Sequence, residues 1–141
     1  VRFVLAGLLL VLILSPASAE AARSCRSGTA QGFVVIRSDP EYLVGTIPST
    51  FRSNPIYFQR RYNCRHRSAY VRRVDLGVYE VRFPGLSRRV PQATAISQEG
   101  ISASAQAFGD VYRVTLRGPY TLDASRDILA RRDVPFALVI F

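Results

Sequence analysis

Gly77-Val78-Tyr79-Glu80-Val81-Arg82-Phe83, closed by the turn pair Pro84-Gly85, is the stretch that decides the fold. Successive side chains of a β-strand point to opposite faces, so a period of two is the mark of a half-buried strand. Here Tyr79, Val81 and Phe83 share one face, and Val78, Glu80 and Arg82 share the other. The same grammar returns in Val111-Tyr112-Arg113-Val114-Thr115-Leu116, entered by Gly109-Asp110 and followed by the turn signal Gly118-Pro119. Tyr112, Val114 and Leu116 are expected inward, with Arg113, Thr115 and Arg117 outward. Two copies fall short of the at least three units a solenoid requires. They read as two strands obeying one pattern.

Working outward, strands are expected around Phe33–Arg37, Ile56–Tyr62, Ser68–Val74, Ala93–Ser97, Ile101–Phe108 and Val134–Phe141. Turn signals separate them: Ser38-Asp39-Pro40, Ser53-Asn54-Pro55, Asp75-Leu76-Gly77, Glu99-Gly100 and Gly109-Asp110. In the small-residue run, Ile101, Ala103, Ala105 and Ala107 fall on one side. The final strand is apolar on both faces after Pro135, which predicts a central, well-covered position. One segment, 123–132, departs from the alternation and predicts a short helix or helical turn, with Asp123 as its N-cap and Asp127 and Arg131 one turn apart. Short strands at regular spacing predict an all-β fold, an antiparallel β-sandwich or small barrel.

Residues 1–19, VRFVLAGLLLVLILSPASA, read as a secretory signal peptide. Arg2 supplies the positive start, Phe3–Leu14 the apolar run and Ala17-Ser18-Ala19 the small-residue cleavage pattern, which places the cut between Ala19 and Glu20. The run is too short for a membrane anchor, which needs roughly 20 apolar residues, and Ser15-Pro16 breaks it. A lipoprotein would carry a cysteine directly after the cleavage box, whereas Cys25 follows Ala22-Arg23-Ser24. An outer-membrane barrel fits poorly, because the outward faces of several strands carry arginine and the chain is short for eight spanning strands. The expected organisation is therefore a signal peptide (1–19), an N-terminal arm (20–32) and a single β-domain (33–141), secreted, with no transmembrane segment in the mature chain.

Of 141 residues, 19 are basic and 10 acidic, and every basic residue is arginine. Codon usage in a GC-rich genome explains the absence of lysine but not the positive excess. That excess predicts attraction to anionic surfaces or polymers. The two cysteines, Cys25 and Cys64, predict a disulfide in an exported chain. Metal binding lacks ligands, since there is one histidine, His66, and no CxxC spacing. No cofactor is implied.

The sharpest local feature is the run from Gln59 to Arg73. It holds Arg60, Arg61, Arg65, Arg67, Arg72 and Arg73, interleaved with Tyr62 and Tyr70. Guanidinium groups fork onto phosphate, sulfate or carboxylate, and aromatic rings stack on sugars or bases. An arginine-rich hairpin pinned by Cys64 and binding an anionic polymer or a cell-wall surface is the functional expectation. The competing account is a solvated edge whose charges discourage strand-to-strand association. Catalysis finds little support. A Ser–His–Asp triad would have to use His66 between two arginines, and no spacing singles out a pair among Glu80, Glu99, Asp110 and Asp133. No phosphate-cradling glycine loop, zinc spacing or calcium loop occurs. A non-catalytic binding role is thus expected, with a structural or protein-interaction module and a small secreted hydrolase as alternatives. No residue points to a particular protein partner.

The order G-x-Y-x-V-x-F (Gly77 to Phe83), a small-residue strand, then D-x-P-F-x-L-x-V/I (Asp133 to Ile140) resembles a β-module of secreted actinobacterial proteins. The resemblance covers roughly Tyr70 to Phe141. It implies export, a GC-rich bacterial origin and an all-β fold, and it supplies no catalytic residues. Many proteins with the module have cysteines within or after it; this chain has none beyond Cys64, so its cross-linking differs.

Overall fold

A computed structural model describes residues 25–26, 28–37, 47–97, 100–120, 128–131 and 133–141. The signal-peptide segment 1–19 with its Ala19/Glu20 cut, the Ser38-Asp39-Pro40 turn and Glu99 lie outside these residues, as does much of the segment expected to be helical. Among the described residues nine strands form: β1 (Gly32–Ile36), β2 (Phe58–Asn63), β3 (Tyr70–Asp75), β4 (Val78–Arg82), β5 (Pro91–Ala95), β6 (Ser102–Phe108), β7 (Val111–Tyr120), β8 (Ile128–Arg131) and β9 (Phe136–Ile140). They build two antiparallel sheets packed face to face. The first has the order β2-β1-β9-β5; the second has the order β3-β4-β7-β6, with β8 also paired to β7. This is the all-β sandwich that the alternation predicts. No helix among the described residues is long and apolar enough to cross a membrane.

Tyr79, Val81 and Phe83 from the β4 segment and Tyr112, Val114 and Leu116 from β7 are completely buried, as their shared faces require. They meet Val34 and Ile36 of β1 and Phe136, Leu138 and Ile140 of β9. Tyr79 and Phe136 bring their rings to 5.3 Å, and Phe83 meets Tyr112 edge-on at 5.9 Å. β9 is central in the first sheet, between β1 and β5, in keeping with its apolar sequence. Ala103, Ala105 and Ala107 of β6 pack on the rim of the core. Gly32 leaves room that its neighbours fill, because a Cβ there would lie 2.9 Å from Leu86 Cδ1 and 3.0 Å from the Phe83 ring and would force them to shift.

Two local expectations are corrected. Ile128–Arg131, within the segment expected to be helical, is strand β8. A helix that short gains little by itself, whereas a strand satisfies its backbone against β7. Gly118-Pro119 likewise does not end β7, which runs on to Tyr120. Arg117 is flanked by Ser102 of β6 on one side and Arg131 of β8 on the other, so β8 continues the line of β4. The Leu116 N–H points to Gly77 on the β4 side. Position 119 therefore faces the opposite side, where β6 has already ended, and a residue without an N–H is tolerated there.

Candidate anion-binding corner

β2 pairs with β1 in the first sheet, while β3 pairs with β4 in the second. The arginine-rich segment is therefore not a hairpin but a corner that carries the chain from one sheet to the other. Residue chemistry at Asn63 explains the turn. The Asn63 side chain accepts from the Arg65 N–H at 2.9 Å and donates to the Pro84 carbonyl at 3.1 Å. Its backbone carbonyl accepts from the His66 N–H at 2.9 Å, and His66 adopts φ of 55°, a left-handed conformation uncommon for a residue with a Cβ. These bonds close a local turn where a hairpin would need cross-strand pairing.

Cys64 is bonded to Cys25, with Cα atoms 5.4 Å apart, and its N–H donates to the Gln31 carbonyl at 2.8 Å. The disulfide expected from the sequence thus clamps the corner to the segment leading into β1. Arg65 lays its aliphatic stem over Gly85, where a Cβ would come within 3.2 Å of its Cγ.

Beside the corner lies an open groove of about 280 Å³, lined by Arg61, Tyr62, Asn63, His66, Arg67, Ser68 and Ala69. None of these is acidic. Arg61 donates from Nη1 to the Ser53 carbonyl at 2.6 Å and lies 5.4 Å from the centre of the Phe58 ring, so its position is fixed. Tyr62 packs against Phe33 at 5.8 Å between ring centres. Among the described residues, Arg60, Arg65 and Arg67 have no carboxylate partner and are exposed. Such a groove offers guanidinium donors and an aromatic wall to an anionic group.

The other two arginines of the run point elsewhere. Arg72 donates to Glu80 Oε2 from Nε at 2.8 Å and from Nη2 at 2.6 Å. Arg113 of β7 holds Oε1 of the same carboxylate, at 3.1 Å and 2.7 Å. Glu80 belongs to the outward face of β4, as the alternation requires, yet it is only 4 % exposed because these two arginines cover it. Burial would raise its carboxyl pKa; the hydrogen bonds from Arg113 and Arg72 outweigh that and hold it below the ordinary range.

Arg73 pairs with Asp133 at 2.6 Å. Asp133 also accepts from the Tyr79 hydroxyl at 2.6 Å and the Gly77 N–H at 2.7 Å. Burial pushes the Asp133 carboxyl up, but Arg73, Tyr79 and the Gly77 N–H together hold it low. Burial and the Asp133 carboxylate both push the Tyr79 hydroxyl far up. Two of the four carboxylates considered for acid–base chemistry are thus locked to arginines.

Reading along the sequence missed Phe51, Arg52, Ser53, Arg82 and Arg113 as neighbours of the basic run. Alternation alone assigns Arg82 and Arg113 to outward faces; only strand register brings them beside Arg72. Comparison with protein-family models, with curated proteins and with solved structures finds no match.

Proposed function

We propose that the protein is an exported, non-catalytic binding module whose β2–β3 corner takes an anionic polymer. The observation that carries this reading is the groove of Arg61, Tyr62, His66 and Arg67, with no acid in its lining and with Arg60 and Arg65 beside it. The reading of residues 1–19 as a signal peptide and the Cys25–Cys64 bridge support export. Under that reading the partners are polyanions outside the cytoplasm. Retention on a heparin or phosphate matrix tests the proposal. The protein is expected to elute above roughly 0.15 M salt, because several oxyanion contacts give strong salt dependence. The variant R60S/R61S/R65S/R67S is expected to elute well before it. Elution of the unaltered protein below that salt concentration overturns the reading.

A further inference from the structure

Between the corner and the outer face of the second sheet runs a short strap, residues 51–53. Its middle residue, Arg52, exchanges backbone hydrogen bonds with Val71 of β3 at 2.9 and 2.8 Å. At one end, the Ser53 carbonyl holds the Arg61 guanidinium of the groove. At the other end, the Phe51 ring carries two guanidiniums, Arg72 at 4.6 Å and Arg82 at 4.4 Å from its centre. Arg72 leads through Glu80 to Arg113, which lies 5.1 Å from the centre of the exposed Phe108 ring.

The charges along this path are unequal. Arg52 at the strap and Arg72, Arg82 and Arg113 on the outer face contribute four positive charges, and Glu80, already saturated by two of them, is the only buried acid among the described residues. Asp110 approaches Arg82 only to 4.0 Å, with both side chains about two-fifths exposed. Arg72, Arg82 and Arg113 keep between 38 and 45 % of their side chains exposed, so guanidinium donors not spent on Glu80, other than the buried Arg82 Nε, remain open to a ligand. Holding two like charges over one aromatic ring costs energy that an anion alongside them recovers.

We infer that the corner is one end of a continuous cationic track: it passes along the 51–53 strap onto the outer face of the second sheet and takes a linear polyoxyanion over several of its charged groups. A three-residue strap covers at most about 10 Å, and the step from β3 to β7 adds roughly 10 Å at two strand spacings. The ligand is thus a polymer with closely spaced phosphate or sulfate groups, not a single small anion held in the groove. This inference rests on the reading of the corner given above.

The test uses the purified protein with tripolyphosphate, long-chain polyphosphate and, to separate phosphate from sulfate recognition, heparin. Binding is measured over a salt series. The slope of log affinity against log salt is the quantity read, because it counts neutralised groups and is not inflated by the many registers a long chain offers. Each additional neutralised phosphate steepens it by about 0.7. The long chain is expected to give a slope steeper than tripolyphosphate by about 2 or more, and R52S/R82S is expected to remove that difference while R52K/R82K keeps it. Equal slopes for the two phosphates in the unaltered protein, a comparison that needs no variant, end the track at the corner and overturn the inference. A long-chain slope unchanged in R52S/R82S overturns it equally. Failure of every ligand to bind overturns the reading of the corner itself.

Discussion

The hydroxyl of Tyr79 donates to Asp133 at 2.6 Å across 54 positions of sequence. Tyr79 is fully buried in the core, and Asp133 stands in the short link from β8 to β9. With Arg73 and the Gly77 N–H on the same carboxylate, this contact ties the β3–β4 turn to the segment that crosses from the second sheet back to the first. D133A leaves a buried hydroxyl without its acceptor and Arg73 without its partner. The expected loss is about 2–4 kcal/mol, read as a lower urea midpoint at unchanged slope. Y79F removes only the hydroxyl and is expected to cost less, about 1–2 kcal/mol.

The two arginine-locked carboxylates set the acid limit of the fold. Glu80 and Asp133 both have pKa values lowered by folding, so their contribution is complete above the ordinary carboxylate range and disappears as pH falls through their lowered values. Stability is therefore expected to hold through mildly acidic pH and to drop below about pH 4. Thermal melts across acidic buffers check this. In E80Q/D133N the drop is expected to flatten, with lower stability at neutral pH.

Opening the disulfide separates stability from binding. C25S/C64S frees a link of sequence separation 39, and the chain-entropy model puts its contribution at roughly 4 kcal/mol. The expected result is a lower melting temperature together with earlier elution from a phosphate matrix, because the corner loses its clamp. A fall in stability with unchanged elution would show that Asn63 and its hydrogen bonds hold the groove unaided.

Gly32 gives a packing test away from the arginines. Its missing Cβ is replaced in space by Leu86 and Phe83, both completely buried. G32A is expected to destabilise by about 1–3 kcal/mol through overpacking. The variant L86A/G32A is expected to lose less stability than the sum of the two separate losses, because the two positions share one space.

Alternation along β4 and β7 is local, and for that reason Tyr79, Val81, Phe83, Tyr112, Val114 and Leu116 were legible as core from their own neighbours. The central place of β9 followed from its two apolar faces. The features that local pattern misses all depend on register. Glu80 looks outward in sequence and is outward in the sheet, yet it is buried because Arg72 and Arg113 arrive from two other strands. The run from Arg60 to Arg73 reads as one patch, but a change of sheet after Asn63 divides it, sending Arg72 and Arg73 to internal carboxylates. β8 is a strand because β7 has an edge to offer, and nothing within Ile128–Arg131 announces that edge.

The position of β9 also bears on how the chain reaches this shape. The strand occupies the middle of the first sheet and pairs with β1, from the other end of the described chain. Until β9 emerges, β1 and β5 have no common neighbour and the core lacks Phe136, Leu138 and Ile140. Closing that gap joins segments about a hundred residues apart, a topology that folds slowly. Assembly of the first sheet is therefore late: β5 has no neighbour in that sheet, and the β1–β2 pair has none on its other side, until β9 is available, whereas the β3–β4 and β6–β7 pairs need nothing from it.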